Sequence, residues 1–294
     1  MSPTPHELRT ILDTALPIAR RAGALLLEGW RGAARVSMKA KSDLVTDYDV
    51  ASEKLIRDGL SAAFPEHVVI GEEGGGERRQ GALSWYVDPI DGTSNFAHGH
   101  PFFCVSMGLC QGDEPILGIV VAPAIHTEWA GARGIGATRN GAPMRVSTCG
   151  AIDDALMASG FPHDRASEPN NNYARFITLD AASHGVRRCG AGALELCILA
   201  DGGYDGFWEL HLKPWDVAAG VCLVREAGGR VSGFEGEEFD LFAGRILATN
   251  GALHEPMIRA LAGALPMPSI AGMVSRRGDD AVSERGLPSS REVG

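Results

Sequence analysis

Five short apolar runs between residues 68 and 130 constrain the fold of this chain more than any other feature. Each has the length of a buried strand and is too short for an ordinary helix. The runs are Val68–Ile70, Trp85–Val87, Cys104–Leu109, Ile116–Val121 and Thr127–Ala130. Asn140–Gly141, a typical hairpin turn, follows them. We therefore predict a sheet of several strands in the first half of the chain.

Segments with helical spacing of apolar residues flank and follow these runs. Residues 6–30 form the first, and residues 47–64 form the second, with Thr46 as its N-cap and Pro65 as its stop. The second half mixes both kinds of element, with helices predicted near 171–183, 193–200, 214–228 and 254–265, and strands near 155–159, 204–210, 231–234 and 246–248. The mixed order predicts an α+β or α/β fold with layers of both.

The composition suits a folded domain followed by a polar tail. The chain has 294 residues, 45% of them hydrophobic, which allows a sizeable core. We expect one domain over residues 1–265, whose halves, 1–150 and 151–265, form one site between them. Gly, Ser, Pro and Arg dominate residues 266–294, so we expect a disordered tail there.

The net charge of -10 disfavours nucleic acid and anionic membranes as partners. Negative charge also repels anionic substrates such as phosphate esters. An acidic enzyme that acts on such a substrate needs local positive charge, and a bound metal is the simplest source of it. The six cysteines are scattered without a CxxC pair, which predicts reduced thiols and a cytoplasmic protein. No signal peptide and no membrane span are expected from the sequence.

The densest chemical signal is the segment Asp88-Pro89-Ile90-Asp91-Gly92-Thr93. Two carboxylates stand three residues apart after a predicted strand, and Pro and Gly favour a sharp turn. Such a turn can direct both carboxylates and the Ile90 carbonyl towards one hard cation. An ordinary Asp-Pro turn that satisfies its own backbone would leave the same pattern.

Other acidic residues occur at the ends of predicted strands and the starts of predicted helices. Each one alone is better explained as a solvated or helix-capping side chain. Together they favour Mg²⁺ or Mn²⁺ over Zn²⁺, because few His or Cys residues accompany them; His98 and His100 are expected in a loop. From the residues alone we infer a divalent-metal enzyme and no more. The acids in question are Asp43, Asp47, Asp49, Glu72, Glu73 and Asp216.

Four blocks of this sequence resemble the inositol monophosphatase family, and they occur in the family's order. The longest is Trp85–Phe96 with Pro101 after it, and the second is Trp215–Gly220 continuing to Gly229. The other two are Asp43–Thr46 with Asp49, and Gly71–Glu73. The resemblance extends over about residues 6–265 and is very specific.

The resemblance implies a layered α/β/α/β/α sandwich with two or three Mg²⁺ ions per site, Mn²⁺ being the alternative ion. The implied metal ligands are Glu72, Asp88, the Ile90 carbonyl, Asp91 and Asp216, with Asp88 bridging two ions. Thr93 and Asp49 would orient water, with Glu72 also at the catalytic centre. Phosphate and alcohol would be bound by Asp91, Gly92, Thr93, Gly190, Ala191, Gly192, Glu209 and Asp216.

The implied activity is Mg²⁺-dependent hydrolysis of a small phosphorylated polyol, first of all inositol-1-phosphate, by a lithium-sensitive cytoplasmic homodimer. The alternatives are histidinol phosphate, fructose bisphosphate or a nucleotide 3′-phosphate as substrate, and a catalytically silent interaction protein with the same fold. One departure bears on the substrate: the family often has Ser or Thr followed by Ala where this chain has Ala191-Gly192. A hydroxyl that could contact the alcohol is therefore missing.

Overall fold

The computed structural model describes residues 2–32, 36–40, 43–162, 165, 168 and 170–264. The predicted tail, 266–294, lies outside the described residues. Within them, none of the helices has the length and apolarity needed to cross a membrane. The helices are α1 (Pro5–Gly29), α2 (Asp47–Ala63), α3 (Thr93–Ala97), α4 (Tyr173–Ala181), α5 (Gly192–Ala200), α6 (Pro214–Glu226) and α7 (His254–Ala262).

The strands form a two-stranded, a seven-stranded and a five-stranded sheet. β1 (Val36–Ala40) and β2 (Asp43–Thr46) pair with each other. The seven-stranded sheet contains, in spatial order, β3 (Val68–Gly71), β4 (Leu83–Asp91), β5 (Cys104–Gln111), β6 (Glu114–Ala122), β7 (Thr127–Ala132), β8 (Gly136–Arg139) and β9 (Ala142–Pro143). Its first pair, β3 and β4, is parallel, and every later pair is antiparallel.

The five-stranded sheet belongs to the second half of the chain. Its spatial order is β11-β10-β12-β14-β13. β10 runs parallel to both of its neighbours, whereas β14 runs antiparallel to β12 and β13. The strands are β10 (Met157–Ser159), β11 (Val186–Arg187), β12 (Gly206–Leu210), β13 (Arg230–Ser232) and β14 (Arg245–Thr249).

Three hydrophobic clusters divide the molecule into five layers. Apolar residues of α1 and α2, such as Leu12 and Ile56, pack on one face of the seven-stranded sheet. Residues of α5 and α6 fill the space between the two large sheets. The outer face of the five-stranded sheet is covered by α4 and α7, which contribute Leu179 and Met257. The layers are therefore helix, sheet, helix, sheet, helix, which confirms the predicted sandwich.

Small residues allow α6 to lie directly on the seven-stranded sheet. A Cβ added at Gly108 of β5 would come within 2.5 Å of the Ala218 side chain and 2.6 Å of the Ala219 nitrogen. The hydroxyl of Ser106 donates to the Trp215 carbonyl at 3.2 Å. This close approach fixes the start of α6 beside the carboxyl ends of β3 and β4, where the site lies.

One helix begins later than its sequence predicted. The polar helix expected from residue 171 begins at Tyr173, because Asn172 has a φ of 72° in the left-handed region. Its carboxamide is held by the second sheet: it donates to the Ser159 hydroxyl at 2.8 Å and accepts from the Trp208 indole at 2.9 Å. A tertiary contact therefore decides where α4 starts.

Candidate active site

Two neighbouring strands bring two acidic residues to the same edge of the seven-stranded sheet. Because β3 and β4 are parallel, with Gly71 opposite Val87, their carboxyl ends lie side by side. Glu72 directly follows β3, and its amide donates to the Val87 carbonyl at 3.1 Å. Asp88 is the residue after Val87. The parallel pairing thus places Glu72 and Asp88 next to each other.

The last part of β4 departs from regular pairing. Its register against β5 shifts between Asp88 and Asp91. Pro89 has no amide to donate to the ladder, and the Ile90 amide instead donates to Asp88 Oδ1 at 2.9 Å. The irregularity lets Asp88, the Ile90 carbonyl and Asp91 lie on one cleft.

Gly92 makes the turn from β4 into α3. Its φ is 91°, which glycine adopts without strain. A Cβ there would also lie 2.9 Å from the Phe102 carbonyl oxygen and 3.2 Å from the Ala191 Cβ. The turn therefore touches the segment around Ala191, which comes from the second half of the chain.

Asp49 is held beside this turn by the start of α2. Thr46 caps the helix as predicted, and its amide and hydroxyl donate to Asp49 Oδ2 at 2.7 and 2.6 Å. Thr93 Oγ1 lies 3.2 Å from Asp49 Oδ1 and 2.9 Å from the Ile90 carbonyl oxygen, and it can donate to either. Burial raises the pKa of Asp49, while the bonds from Thr46 oppose that shift.

Two further acids join the halves of the chain at this cleft. Asp91 Oδ2 accepts the amides of Ala193 at 2.7 Å and Leu194 at 3.4 Å, in the first turn of α5. Asp216 lies in the first turn of α6, as predicted, and its Oδ2 accepts the Lys213 amide at 2.7 Å. Both carboxylates therefore interact with the start of a helix, where the backbone favours an anion.

The acids in the cleft raise one another's pKa. The pKa of Asp88 rises well above its ordinary value. Burial is the largest cause of this rise, followed by the charges of Glu72, Asp91 and Asp216. Burial also raises the pKa of Asp91 to about 6, against the lowering effect of the Ala193 amide. Asp216 shifts upward for the same first reason. A cation in this cleft would relieve the repulsion.

The donor set fits a hard divalent cation in its chemistry. Among the described residues that line the cleft there are carboxylates and a carbonyl but no His or Cys, which is the preference of Mg²⁺ and Mn²⁺. Within the described ranges, however, no three His, Cys, Asp or Glu side chains close around one point as a preformed metal site would. The fit therefore rests on donor type and charge, and the ligand set stays a prediction.

The opposite wall of the cleft comes from the second half of the chain. Gly190, Ala191 and Gly192 line it, and Gly190 has a φ of 78°. Glu209 projects from β12 into the same cleft, where it is partly exposed. Burial first, and then the charge of Glu195, raise its pKa. All of the predicted metal, substrate and catalytic residues except Asp49 line this cavity of about 290 Å³, and Asp49 contacts the cavity residue Thr93.

Sequence reasoning missed several residues of the cleft. His98 and His100 do not line the cavity. Arg188 follows Arg187 just before the glycine turn, and this basic pair was the one local signal that could have indicated it. The remainder have no such signal. The missed lining residues are Ser94, Asn95, Phe161, Arg165, Arg188 and Leu212.

Comparison with known proteins agrees with this geometry. The inositol monophosphatase family model matches residues 7–265, so the chain belongs to that family. Its members are phosphoric monoester hydrolases that are generally metal-dependent, and this chain is a phosphoric monoester hydrolase.

Three relatives show the extent of the similarity. Inositol-1-monophosphatase of Synechocystis is 40% identical, over 88% of this chain and 91% of that protein. Nus factor SuhB of Pseudomonas aeruginosa is 38% identical, over 88% of this chain and 98% of that protein. The solved structure of inositol monophosphatase from Anabaena superposes with a TM-score of 0.81 at 40% identity, covering 88% of this chain and 98% of that one.

Proposed function

We propose that this enzyme hydrolyses a small phosphorylated polyol, first of all inositol-1-phosphate, with Mg²⁺ as its metal. The observation that carries the proposal is the meeting of Glu72, Asp88, Asp91 and Asp216 on one cleft, with the Asp49–Thr93 pair beside them. An acid-lined cleft repels a phosphate dianion unless cations are bound, so this arrangement suits metal-assisted hydrolysis.

The acids and one carbonyl would hold the ions. Glu72, Asp88 and the Ile90 carbonyl face the cleft from the ends of β3 and β4, and Asp91 and Asp216 face it from the start of two helices. Bound Mg²⁺ would lower the pKa of a water molecule and neutralise charge on the attacked phosphate and the leaving oxygen. This fits a reaction with one of the slowest known uncatalysed rates.

The chain's own residues would orient the reactants. The Thr93 hydroxyl can donate its proton in a hydrogen bond to Asp49, so that the lone pairs of Oγ1 are free to accept a hydrogen bond from an attacking water. The amides of Gly92 and Thr93 would bind phosphate oxygens at the turn. Glu209 would accept hydrogen bonds from hydroxyl groups of the alcohol, next to the Ala191–Gly192 segment.

A substrate panel tests the proposal directly. Phosphate release should be measured from inositol-1-phosphate, histidinol phosphate, fructose bisphosphate, a nucleotide 3′-phosphate and an aryl phosphate, with Mg²⁺, with Mn²⁺ and with a chelator. We expect release in Mg²⁺ with the highest kcat/KM on inositol-1-phosphate, and none in chelator. Equal release in chelator would contradict the metal, and a clear preference for another ester would contradict the substrate.

A second candidate, a substrate with another anionic group, is favoured by two arginines. Arg165 and Arg188 line the cleft, and no ion pair with a described carboxylate occupies either of them. Guanidinium groups bind phosphate and carboxylate in a bidentate manner. If fructose bisphosphate is the preferred ester in the panel, Arg188→Gln should reduce that preference without reducing turnover of the aryl phosphate.

An interaction role without catalysis is the third possibility, since one relative bears the name of a Nus factor. A silent protein would not need its carboxylates, whereas this chain has all four of the predicted carboxylate ligands and has Thr93 beside Asp49. We therefore place the hydrolase first. Absence of phosphate release from every ester in the panel would favour the silent alternative.

A further inference from the structure

Two polar side chains on different helices form hydrogen bonds to the same dipeptide, which leads into the part of the cleft proposed to contact the alcohol. The dipeptide is Cys189–Gly190, which leads into the Gly190–Gly192 segment. We propose that Asn95 and Glu195 are a pair of positioning residues that set the spacing between the phosphate side and the alcohol side of the cleft. The inference rests on the proposed function, because it assigns the selection of the alcohol to that same cleft.

Asn95 holds the carbonyl groups of the dipeptide. It lies on α3, directly after the Gly92–Thr93 turn. Its Nδ2 donates to the Cys189 carbonyl at 2.8 Å and lies 3.5 Å from the Gly190 carbonyl oxygen. The same nitrogen donates to the Phe102 carbonyl at 2.6 Å. One carboxamide thus ties the start of α3 to a segment of the other half of the chain.

Glu195 holds the amide of Cys189 in the dipeptide. It lies on α5 and is fully buried. Its Oε1 accepts the Cys189 amide at 2.8 Å. Cys189 is therefore held at both of its backbone polar groups, its amide by Glu195 and its carbonyl by Asn95.

The segment held in this way is in contact with the phosphate turn. A Cβ at Gly92 would lie 3.4 Å from the Gly190 carbonyl oxygen and 3.2 Å from the Ala191 Cβ. The helix α5 has a separate attachment, since Asp91 Oδ2 binds the Ala193 amide. Releasing the dipeptide would therefore move the Gly190–Gly192 wall and leave the acids of the first half where they are.

A purely structural role predicts a different outcome from a positioning role. If Asn95 and Glu195 only stabilise the fold, their loss lowers the melting temperature and reduces turnover of all substrates alike. If they position the Gly190–Gly192 segment, kcat/KM falls for a polyol phosphate. It changes little for an aryl phosphate, which has no polyol to bind there. The ratio of kcat/KM for the two substrates separates the two cases.

The test uses two disruptive variants, one conservative variant and one matched control. Asn95→Asp places a carboxylate against the carbonyl groups of Phe102, Cys189 and Gly190. Glu195→Leu removes the acceptor of the Cys189 amide. Glu195→Gln keeps an oxygen for the Cys189 amide. Asn250→Asp is the control, because its Nδ2 likewise bridges Ser147 and Cys149 at 2.9 and 2.8 Å, but Asn250 does not line the cleft.

For the disruptive variants we expect kcat/KM on inositol-1-phosphate to fall by about tenfold, mainly through KM, while the aryl phosphate changes by less than about threefold. Glu195→Gln should recover most of the loss, and Asn250→Asp should leave the ratio of the substrates unchanged. Equal losses on both substrates, no loss in Asn95→Asp, or a Gln variant as impaired as the Leu variant would overturn the inference.

The set of variants still tests the inference if one of them does not fold. If buried Glu195→Leu does not fold, Asn95→Asp decides the question alone, since Asn95 is partly exposed. Failure of the proposed function would show instead in the wild-type enzyme, which would release no phosphate from either substrate.

Discussion

The carboxylate of Glu209 lies over the backbone of Gly160, in the space where a Cβ at residue 160 would have to be. Gly160 is buried directly after β10, which is the neighbour of β12 that carries Glu209. The same carboxylate comes within 3.6 Å of a Cβ position at Gly192. The position of Glu209 in the cleft is therefore set by the absence of a side chain on a neighbouring strand.

Gly160→Ala should impair the enzyme by displacing Glu209 and not by straining the backbone, because Gly160 is not among the residues with positive φ. We expect kcat/KM for inositol-1-phosphate to fall by about tenfold and that for an aryl phosphate to change little. Gly150→Ala is the control, since nothing lies within 4 Å of its added Cβ. Wild-type kinetics in Gly160→Ala would contradict the displacement.

Glu209→Ala should produce the same selectivity more strongly. Charge-assisted hydrogen bonds contribute about 1.5–3 kcal/mol, so polyol phosphates should lose roughly tenfold to a hundredfold in kcat/KM. An aryl phosphate has no hydroxyl to offer, and the Mg²⁺ dependence should not move. Kinetics on both substrates at several Mg²⁺ concentrations check this; equal losses would mean that Glu209 supports the site generally.

Asp88→Asn should abolish activity without unfolding the protein. Asp88 lies in the last part of β4, beside the end of β3. Its pKa is raised by the charges of three other acids of the cleft, so its neutralisation affects the whole cluster. We expect at least about a thousandfold loss of kcat with an unchanged circular dichroism spectrum. Asp58→Asn, an exposed acid on α2, is the control. Retention of a tenth of the activity would argue against the ligand role.

Several local features were predictable because their causes are local. The cap at Thr46, the start of α6 at Pro214 and the Asn140–Gly141 turn follow from the residues at those positions. The candidate ligands were found because acids at strand ends and helix starts have a recognisable chemistry, and the family resemblance then ordered them.

The remaining features depend on contacts that no local pattern indicates. Asn95 and Cys189 are 94 residues apart, and nothing in either segment announces their bond. Glu195 lies among apolar residues in α5, and this local sequence is typical of a buried core helix. The pairing of β1 with β2 was not predicted, since Asp43–Thr46 was considered as part of an acidic segment before a helix and as a block of the family resemblance.

Lithium should inhibit the enzyme if it is as close to the inositol branch as its motifs indicate. The resemblance implies that Li⁺ replaces one of the Mg²⁺ ions, and Asp88, Asp91 and Asp216 are all present on the cleft. We expect phosphate release to fall in tens of millimolar LiCl, with equal KCl as the control for ionic strength. Unchanged rates in LiCl would count against membership of that branch.

His254 should make the stability of the protein depend on pH below neutrality. It is fully buried, and its ring nitrogens lie 2.8 Å from the Ser232 hydroxyl and 3.0 Å from the Thr249 hydroxyl. Burial, aided by the nearby Arg230, lowers its pKa from 6.5 to about 4. Between these two pKa values His254 is protonated in the unfolded chain but neutral in the folded protein. The free energy of unfolding therefore falls as the pH falls.

The integrated effect is about 3 kcal/mol between roughly pH 6.5 and pH 4. His254→Gln removes the titrating group, so the variant should lose less stability than the wild type over that interval, although it is less stable at neutral pH. Melting temperatures measured from about pH 4 to about pH 7.5 compare the two slopes. Parallel curves would show that His254 does not contribute.

The bond between Asp91 and the first turn of α5 has a consequence for how the enzyme is made. A nascent chain that stops before Ala193 already contains Asp91 but none of the amides that its carboxylate binds. The Asp91 carboxylate can gain these two partners only after α5 has left the ribosome, and Asp216 is added to the chain later still. The acidic cleft is therefore complete only after synthesis has passed Asp216, and premature termination before that residue should yield an inactive product and not a weak enzyme.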